Sequence, residues 1–587
     1  MKKSLLFSAV LAGLMLGSCS SSDDLAGGNT PANQDGNGYV AFTINLPSQS
    51  GSSSRSGSLN DQFEEGTPNE YAVNDATLLI FEGTSESLAT FKSAYKLNTA
   101  PWKDNNANEN VTTTSATVVK QIEAPASAGN CFALVILNKN DVFTVDEANH
   151  TLSLGGTNFA GTYKQFAEKL SDKDLTKNGF YMANSPLSSV AGGNNSPEGA
   201  EINTLVKLDG KIKKTEAEAK SVPAEIYVER GVAKVTMEKT SSVTSVDGSK
   251  NSVGETVGFT LSSWALDNTN KKTYLVRSTE GSNEWLNLAT NKEGVSDKYR
   301  FVGSKPVATG LYRTYFAKDA NFNLSENSAA FSEGSFNSIS ASDISKGFGT
   351  DKPQYCFENT FDVESQLDQY TTRVLIKAAL NSNKTFYVIN GDENTIYNLD
   401  EVKKQIKKYF LTEYKTWIET HVTSTSGSVG EAELNVNISD NAGDVTITSI
   451  SFTNGATTTA ELPTDYQTTV MNRIGTIQEY KDGVSYYFIR IKHFGDDLTP
   501  WNDGETPLPG STLGVYPAGT DQNNNYLGRY GVLRNNWYNI EVLGVKGLGF
   551  AEVPKVTTDT DDELKSYIAV KINVLSWAKR TQGAILH

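Results

Sequence analysis

The sequence predicts an all-β fold with a few helices, arranged as two β-sandwich domains in tandem. Three observations carry this reading. Apolar and polar residues alternate in short runs, as in YVAFTINL at 39–46, AEIYVERGVAKVTM at 224–237 and YIAVKINV at 567–574; a period of two marks strands with one buried face. The chain holds 48 Gly, 25 Tyr and 25 Phe, which suits sheets joined by many turns. At 587 residues it exceeds what one hydrophobic core usually fills, so two large domains are expected.

The elements follow in order. Residues 1–18 read as a signal peptide, with Lys2 and Lys3 ahead of LLFSAVLAGLML, an apolar run too short to span a bilayer. Residues 19–38 are rich in Ser, Asp, Gly and Asn and read as a tether. Residues 39–55 hold the strand YVAFTINL and the start of a small, polar linker, SQSGSSSRSGSLNDQ. The first sandwich is expected over 56–222, with strands near 76–81 and 132–137. Phe166, Ala167 and Leu170 have the spacing of a short helix over 163–170. A polar stretch at 211–220 and Pro223 mark the boundary with the second sandwich, 223–587. That domain opens with 224–237 read as one strand and adds strands near 257–261, 370–378, 486–492 and 537–543. A helix is expected over 399–420, N-capped by Asn398. Its apolar face is Val402, Ile406, Tyr409, Phe410, Trp417 and Ile418, with Lys403, Lys404, Lys407 and Lys408 as a solvated face.

Several chemistries are disfavoured. A net charge of −16 argues against nucleic acid as a partner, since a phosphate backbone demands a basic face. His150, His421, His493 and His587 form no zinc motif, and there is no GxSxG elbow, P-loop or dinucleotide fingerprint. We therefore expect no cofactor, no metal and no enzymatic activity. Asp559, Asp561 and Asp562 lack the spacing of a calcium loop and read as a solvated segment. Trp102, Trp264, Trp285 and Trp501 would stack on sugars if exposed, or edge a core if not. An anchored, glycan-binding surface protein is thus the alternative reading of the chain. Cys131 and Cys356 are read as buried thiols, a single disulfide between them being the alternative.

The two octets at opposite ends of the chain share Tyr, Ala, Ile and Asn at matching places. Val40, Phe42, Ile44 and Leu46 correspond to Ile568, Val570, Ile572 and Val574. Because a strand bonds through its backbone, a segment of the same parity can take another's place in a sheet. The N-terminal strand is expected to be displaced, and the C-terminal one to be donated to a neighbour. Arg55 is the sole basic residue between Lys3 and Lys92. It lies in the linker and is read as a protease site, with Ser56 as the new N-terminus; a single solvated Arg in a loop is the alternative. Head-to-tail exchange does not close on itself, so it builds a fibre.

Leu16-Gly17-Ser18-Cys19 resembles the bacterial lipobox, with Cys19 as the lipidated residue; an ordinary signal peptide that contains a Cys is the alternative. SSSDD after it is similar to the surface-export signal of Bacteroidetes lipoproteins. With VERGVAKVTM at 228–237, YYFIRIKHF at 486–494, YGVLRNNWYNIEVLGVKGLG at 530–549 and VKINVLSW at 570–577, the chain resembles the fimbrillin family of Bacteroidetes type V pili, most like the major subunit of the short (minor) fimbriae. The resemblance implies two transthyretin-like β-sandwiches. It also implies a palmitate-bearing lipoprotein precursor at the outer-membrane surface, cut after Arg55 by an Arg-specific, gingipain-like protease. Its implied partners are other copies of itself, anchor and tip fimbrial subunits, and host or bacterial surface receptors. A tip or accessory position in the fibre is the alternative to the shaft.

Overall fold

The computed structural model describes residues 36–46, 66–103, 115–124, 130–191, 201–238, 242–280, 302–308, 310–322, 334–361, 367–439, 443–493, 530–558 and 568–575. The protein is mostly β-sheet with a few short helices, as expected from the alternation.

The first large sheet is built from β1 (Asn37–Asn45), β2 (Ala76–Glu82), β3 (Thr90–Lys96), β4 (Ser115–Glu123), β5 (Cys131–Leu137), β6 (Met182–Asn184) and β7 (Ala224–Arg230). Its order is β3-β2-β5-β6-β7-β1-β4, and a short strand at Val206–Lys207 also pairs with β5. β5, CFALVIL, is buried along its whole length, so it lacks the alternation of a half-exposed strand and reads as a continuous apolar run. β7 divides its pairing: residues 224–227 bond β1, and residues 228–230 bond β6. One core joins the two ends of this sheet. It holds Val40, Phe42 and Ile44 of β1 with Leu78 and Ile80 of β2 and Leu134 and Ile136 of β5.

The second core lies between two further sheets. One has the order β11-β8-β15-β16 and the other β13-β9-β10-β12-β14. Their strands are β8 (Ala233–Glu238), β9 (Ser245–Asn251), β10 (Thr256–Asp267), β11 (Gln354–Cys356), β12 (Arg373–Leu380), β13 (Thr395–Ile396), β14 (Val484–Arg490), β15 (Trp537–Val545) and β16 (Ile568–Leu575). Val235 and Met237 of β8 and Ile540 of β15 pack with Phe259 and Trp264 of β10 and Ile376 of β12. This is a sheet-on-sheet arrangement.

Three expectations need correction. The stretch 224–237 is two strands rather than one, β7 in the first sheet and β8 in the second. The break falls at Gly231, where an added Cβ would crowd the Tyr181 and Leu175 side chains at 3.0 and 3.1 Å. The short helix ends early. α1 (Tyr163–Ala167) keeps a capping box between Thr162 and Gln165, and Leu170 is largely exposed rather than on its apolar face. The long helix is also broken, into α2 (Leu399–Glu413) and α3 (Lys415–His421) at Tyr414. Its N-terminus is as expected, with Asn398 and Glu401 forming a reciprocal capping box. Val402, Ile406, Phe410 and Ile418 are buried in a third, smaller core. Among the described residues no helix is long and apolar enough to cross a membrane.

Candidate functional site

The site is the place that β1 occupies. Antiparallel pairing with β4 runs from Asn37 opposite Glu123 to Asn45 opposite Ser115. On its other side β1 runs parallel to β7, from Phe42 opposite Ala224 to Asn45 opposite Tyr227. Tyr39 exchanges two backbone hydrogen bonds with Lys213, at 2.8 and 2.9 Å. Val40, Phe42 and Ile44 have no exposed surface, and Leu46 has almost none. Burying four such side chains contributes about 6–12 kcal/mol before ordering costs. Thr43 and Asn45 belong to the opposite parity. The Thr43 and Thr117 hydroxyls lie 3.3 Å apart, while Asn45 Nδ2 donates to Glu225 Oε2 at 3.0 Å and to the Ile226 carbonyl at 3.3 Å.

β4 ends the sheet, and among the described residues its sole strand partner is β1. Withdrawing β1 would therefore bare two edges at once, one on β7 and one on β4. Unpaired edges are templates for another strand. Between them would lie a slot floored by the first core. Alternation reveals β1 as a strand but gives no hint of these walls. The one signal for the polar wall is Asn45, the polar identity that both octets share besides their leading Tyr.

The C-terminal octet is placed differently. Among the described residues β16 is the outermost strand of its sheet and pairs with β15 alone. Its register sets Ile568 opposite Val545, Val570 opposite Val542, Ile572 opposite Ile540 and Val574 opposite Tyr538. All four partners are buried. The apolar set of the octet is thus matched to core positions of β15. As an edge strand, β16 can leave by giving up a single ladder.

The most specific sequence segment, Arg534-Asn535-Asn536-Trp537, is buried and forms a polar junction between the two sheets that β7 and β8 enter. Arg534 Nε donates to Glu358 Oε2 at 3.3 Å, and its Nη2 reaches the Thr273 hydroxyl at 3.0 Å and the Tyr274 carbonyl at 3.1 Å. Asn535, at φ 60°, accepts from the Arg230 backbone at 3.2 Å. Trp537 Nε1 donates to the Thr236 hydroxyl at 2.6 Å. Next to it Lys234 Nζ lies over the Trp537 ring and pairs with Glu70 at 2.7 Å. Arg277 and Glu229 form a second buried pair at 2.8 Å. These groups satisfy one another, as buried charges require. The segment is an internal brace.

Cys19, Arg55, Ser56, Trp285, Trp501, His587 and Asp559, Asp561 and Asp562 lie outside the described residues. Cys131 and Cys356 are both free and buried, and burial pushes each thiol up to about 12. Trp264 is fully buried, and its Nε1 donates to the Gly347 carbonyl at 2.7 Å. It is a core residue with no face for a sugar. His493 is buried and 2.6 Å from the Tyr538 hydroxyl. Among the described residues no group of His, Cys, Asp and Glu is arranged to hold a metal ion.

Residues 515–583 match the family model of the major fimbrial subunit protein type IV, fimbrillin, C-terminal region. The matched segment contains the Arg534–Trp537 brace, β15 and β16, so the resemblance seen in the sequence is supported where its most specific residues lie. No curated protein sequence matches the chain. Among solved structures, one assigned to cell adhesion from Parabacteroides distasonis is similar at 11% identity and a TM-score of 0.34, over 93% of this chain and 98% of that one. A fimbrilin from Porphyromonas gingivalis is similar at 11% identity and a TM-score of 0.31, over 94% and 98%. The tip fimbrial protein Mfa3 from Porphyromonas gingivalis follows at 9% identity and a TM-score of 0.25, over 92% and 99%. Likenesses this slight carry no functional inference.

Proposed function

From the premise that this chain carries a fimbrillin C-terminal region, we propose that it is a structural fimbrial subunit that polymerises by exchange of strands. It is made as a lipoprotein precursor held at the outer-membrane surface through Cys19. An Arg-specific, gingipain-like protease cuts between Arg55 and Ser56, and β1 leaves with residues 19–55 and their lipid. The emptied slot between β7 and β4 then takes the C-terminal segment, 567–587, of another copy. Repetition gives an extracellular fimbrium that supports adhesion, ending on anchor and tip subunits.

The observation that carries this reading is the position of β1. It fills the interior of a sheet, yet it is joined to the body through a cuttable, polar linker. While it is tethered, its effective concentration at the slot is on the order of millimolar, and no neighbour competes well. Cutting the linker removes that advantage. β16 offers a strand of equal parity from a sheet edge, where release breaks one ladder rather than two. Shaft rather than tip is favoured because the chain has both a cuttable Arg and a donor-like end.

N-terminal sequencing of protein shed from the cell surface tests the proposal. A mature chain that begins at Ser56 is expected. If all of the shed protein retains lipidated Cys19, the chain is an anchored surface protein and the exchange mechanism is lost.

A further inference from the structure

The two octets differ in charge at one place. Aligning YVAFTINL with YIAVKINV sets Lys571 at the position of Thr43, and Asn573 at that of Asn45. In the slot, Thr43 is the register partner of Glu225 on β7 and of Thr117 on β4. Glu225 is exposed, and its carboxylate accepts from Asn45 Nδ2 at 3.0 Å. At home on β15, Lys571 is the register partner of another glutamate, Glu541.

We propose that Lys571 of one copy and Glu225 of the next form a cross-strand ion pair that selects the donor strand and fixes its register. The inference rests on the strand-exchange reading above. Neighbouring strands lie about 4.7–4.9 Å apart, so opposite residues in the parallel register of β1 and β7 are well within reach for a Lys and a Glu. Asn573 restores the hydrogen bond that Asn45 makes to the same carboxylate, so Glu225 receives two donors from the incoming strand in place of one.

The apolar side of the slot shows why such a contact matters. Exchanging β1 for the donor replaces Phe42 by Val570 and Leu46 by Val574, and gains a methylene at Ile568 over Val40. The donor brings about four carbon atoms fewer to the core, which favours the strand already there. Selection of the donor must therefore draw on the polar side. A slip of one residue would drive Lys571 to the buried parity. A slip of two toward the C-terminal end of the slot would set it opposite Tyr227, the partner of Asn45. Of these registers, only the unslipped one places cation opposite anion.

The test uses full chain cut with an Arg-specific protease, which leaves Lys571 and the lysine of Glu225→Lys uncut, with chain growth followed as ladders on unboiled gels. Glu225→Lys and Lys571→Glu are each expected to slow growth about 3- to 10-fold at low salt, from reversal of a cross-strand pair. The doubly reversed protein should recover to within about 2-fold of wild type, and about 1 M salt should compress all these differences. Glu225→Gln keeps an acceptor for Asn573 but no charge, and should fall between wild type and Glu225→Lys. Lys571→Glu also faces Glu541 at home, but that contact lies in the other sheet and cannot explain rescue by a change at 225. Melting of the uncut Glu225 variants should fall only slightly, because the exposed carboxylate loses there no more than its hydrogen bond from Asn45. The proposal is overturned if wild type forms ladders and the double reversal grows no better than the poorer single variant. If wild type forms no ladders after cutting, strand exchange itself is wrong, and the pair falls with it.

Discussion

Replacing Phe42 with Ala should let an uncut subunit polymerise. Phe42 has no exposed surface and is opposite Ala224 and Val118, the register partners that flank it in the slot. Truncation to Ala in such a site costs about 3–5 kcal/mol. The tethered strand holds its place against a neighbour through effective concentration and through its larger apolar set. On the order of 1 mM for the tether against about 1 µM for a free donor is a factor of 10³, or about 4 kcal/mol. Truncation reverses the packing difference, leaving the donor with about two carbon atoms more at the slot, and so offsets much of the tether's advantage; a neighbour's C-terminal strand should then compete as protein concentration rises. Val570 would then be the larger side chain at that position. The assay combines Phe42→Ala with Arg55→Ala, so that no cut can occur, and follows size-exclusion profiles and unboiled gel ladders at about 10 µM. Ladders are expected for the double variant and a monomer for Arg55→Ala alone. The reasoning is refuted if the double variant melts at a lower temperature yet stays monomeric at about 100 µM. In that case β1 occupies the slot, but the slot is not where neighbours join.

Three other outcomes are expected. Arg55→Ala by itself should give a folded, lipid-anchored monomer with no fibre on cells, and normal fibres on electron micrographs would show that Arg55 is not the switch. Ile572→Asp would set a carboxylate where Ile44 meets Ile226 and Ala116, at a cost of several kcal/mol. Its precursor should stay folded by circular dichroism, while its cut form accepts wild-type donors and shortens their ladders; an unfolded precursor would make β16 an ordinary core strand. The third concerns pH. Burial raises the Asp319 and Glu86 carboxyls to about 7. Raised carboxyls bind protons in the folded state that the unfolded chain has released, so their contribution is full below about pH 4 and is lost as pH rises through 7. The melting temperature should fall between pH 5 and pH 8, and Asp319→Asn should reduce that fall.

Much of the fold was legible because strands with one buried face write a period of two into the sequence, and Asn398 with Glu401 writes a helix start. What was not legible depends on partners far away in sequence. In the run 224–237 the apolar parity switches from Ala224, Ile226 and Val228 to Ala233, Val235 and Met237, which marks a break at Gly231 but does not reveal that the chain changes sheets there. Arg534 and Asn535 look like part of a polar loop, since their partners at Glu358, Thr273 and Arg230 are more than a hundred residues away. For the same reason the octets reveal a likeness between two strands but not the walls between which β1 lies. Lys571 attracts no notice in the sequence, and gains meaning when register places Thr43 opposite Glu225.

The setting of β1 inside a sheet has a mechanical consequence. A strand on the rim can be peeled, its bonds breaking one after another under a small sideways force. A strand bounded on both flanks and seated on a hydrophobic floor has no sideways exit in the plane of the sheet. Pulling along its axis loads both ladders in shear, so many bonds share the force and must fail nearly together. A donor in that slot would therefore give a joint whose strength under flow exceeds what its equilibrium affinity suggests. The same segment on β15 would come free under a light pull. A subunit of this kind holds its tail loosely before assembly and would be held tightly by its neighbour afterwards.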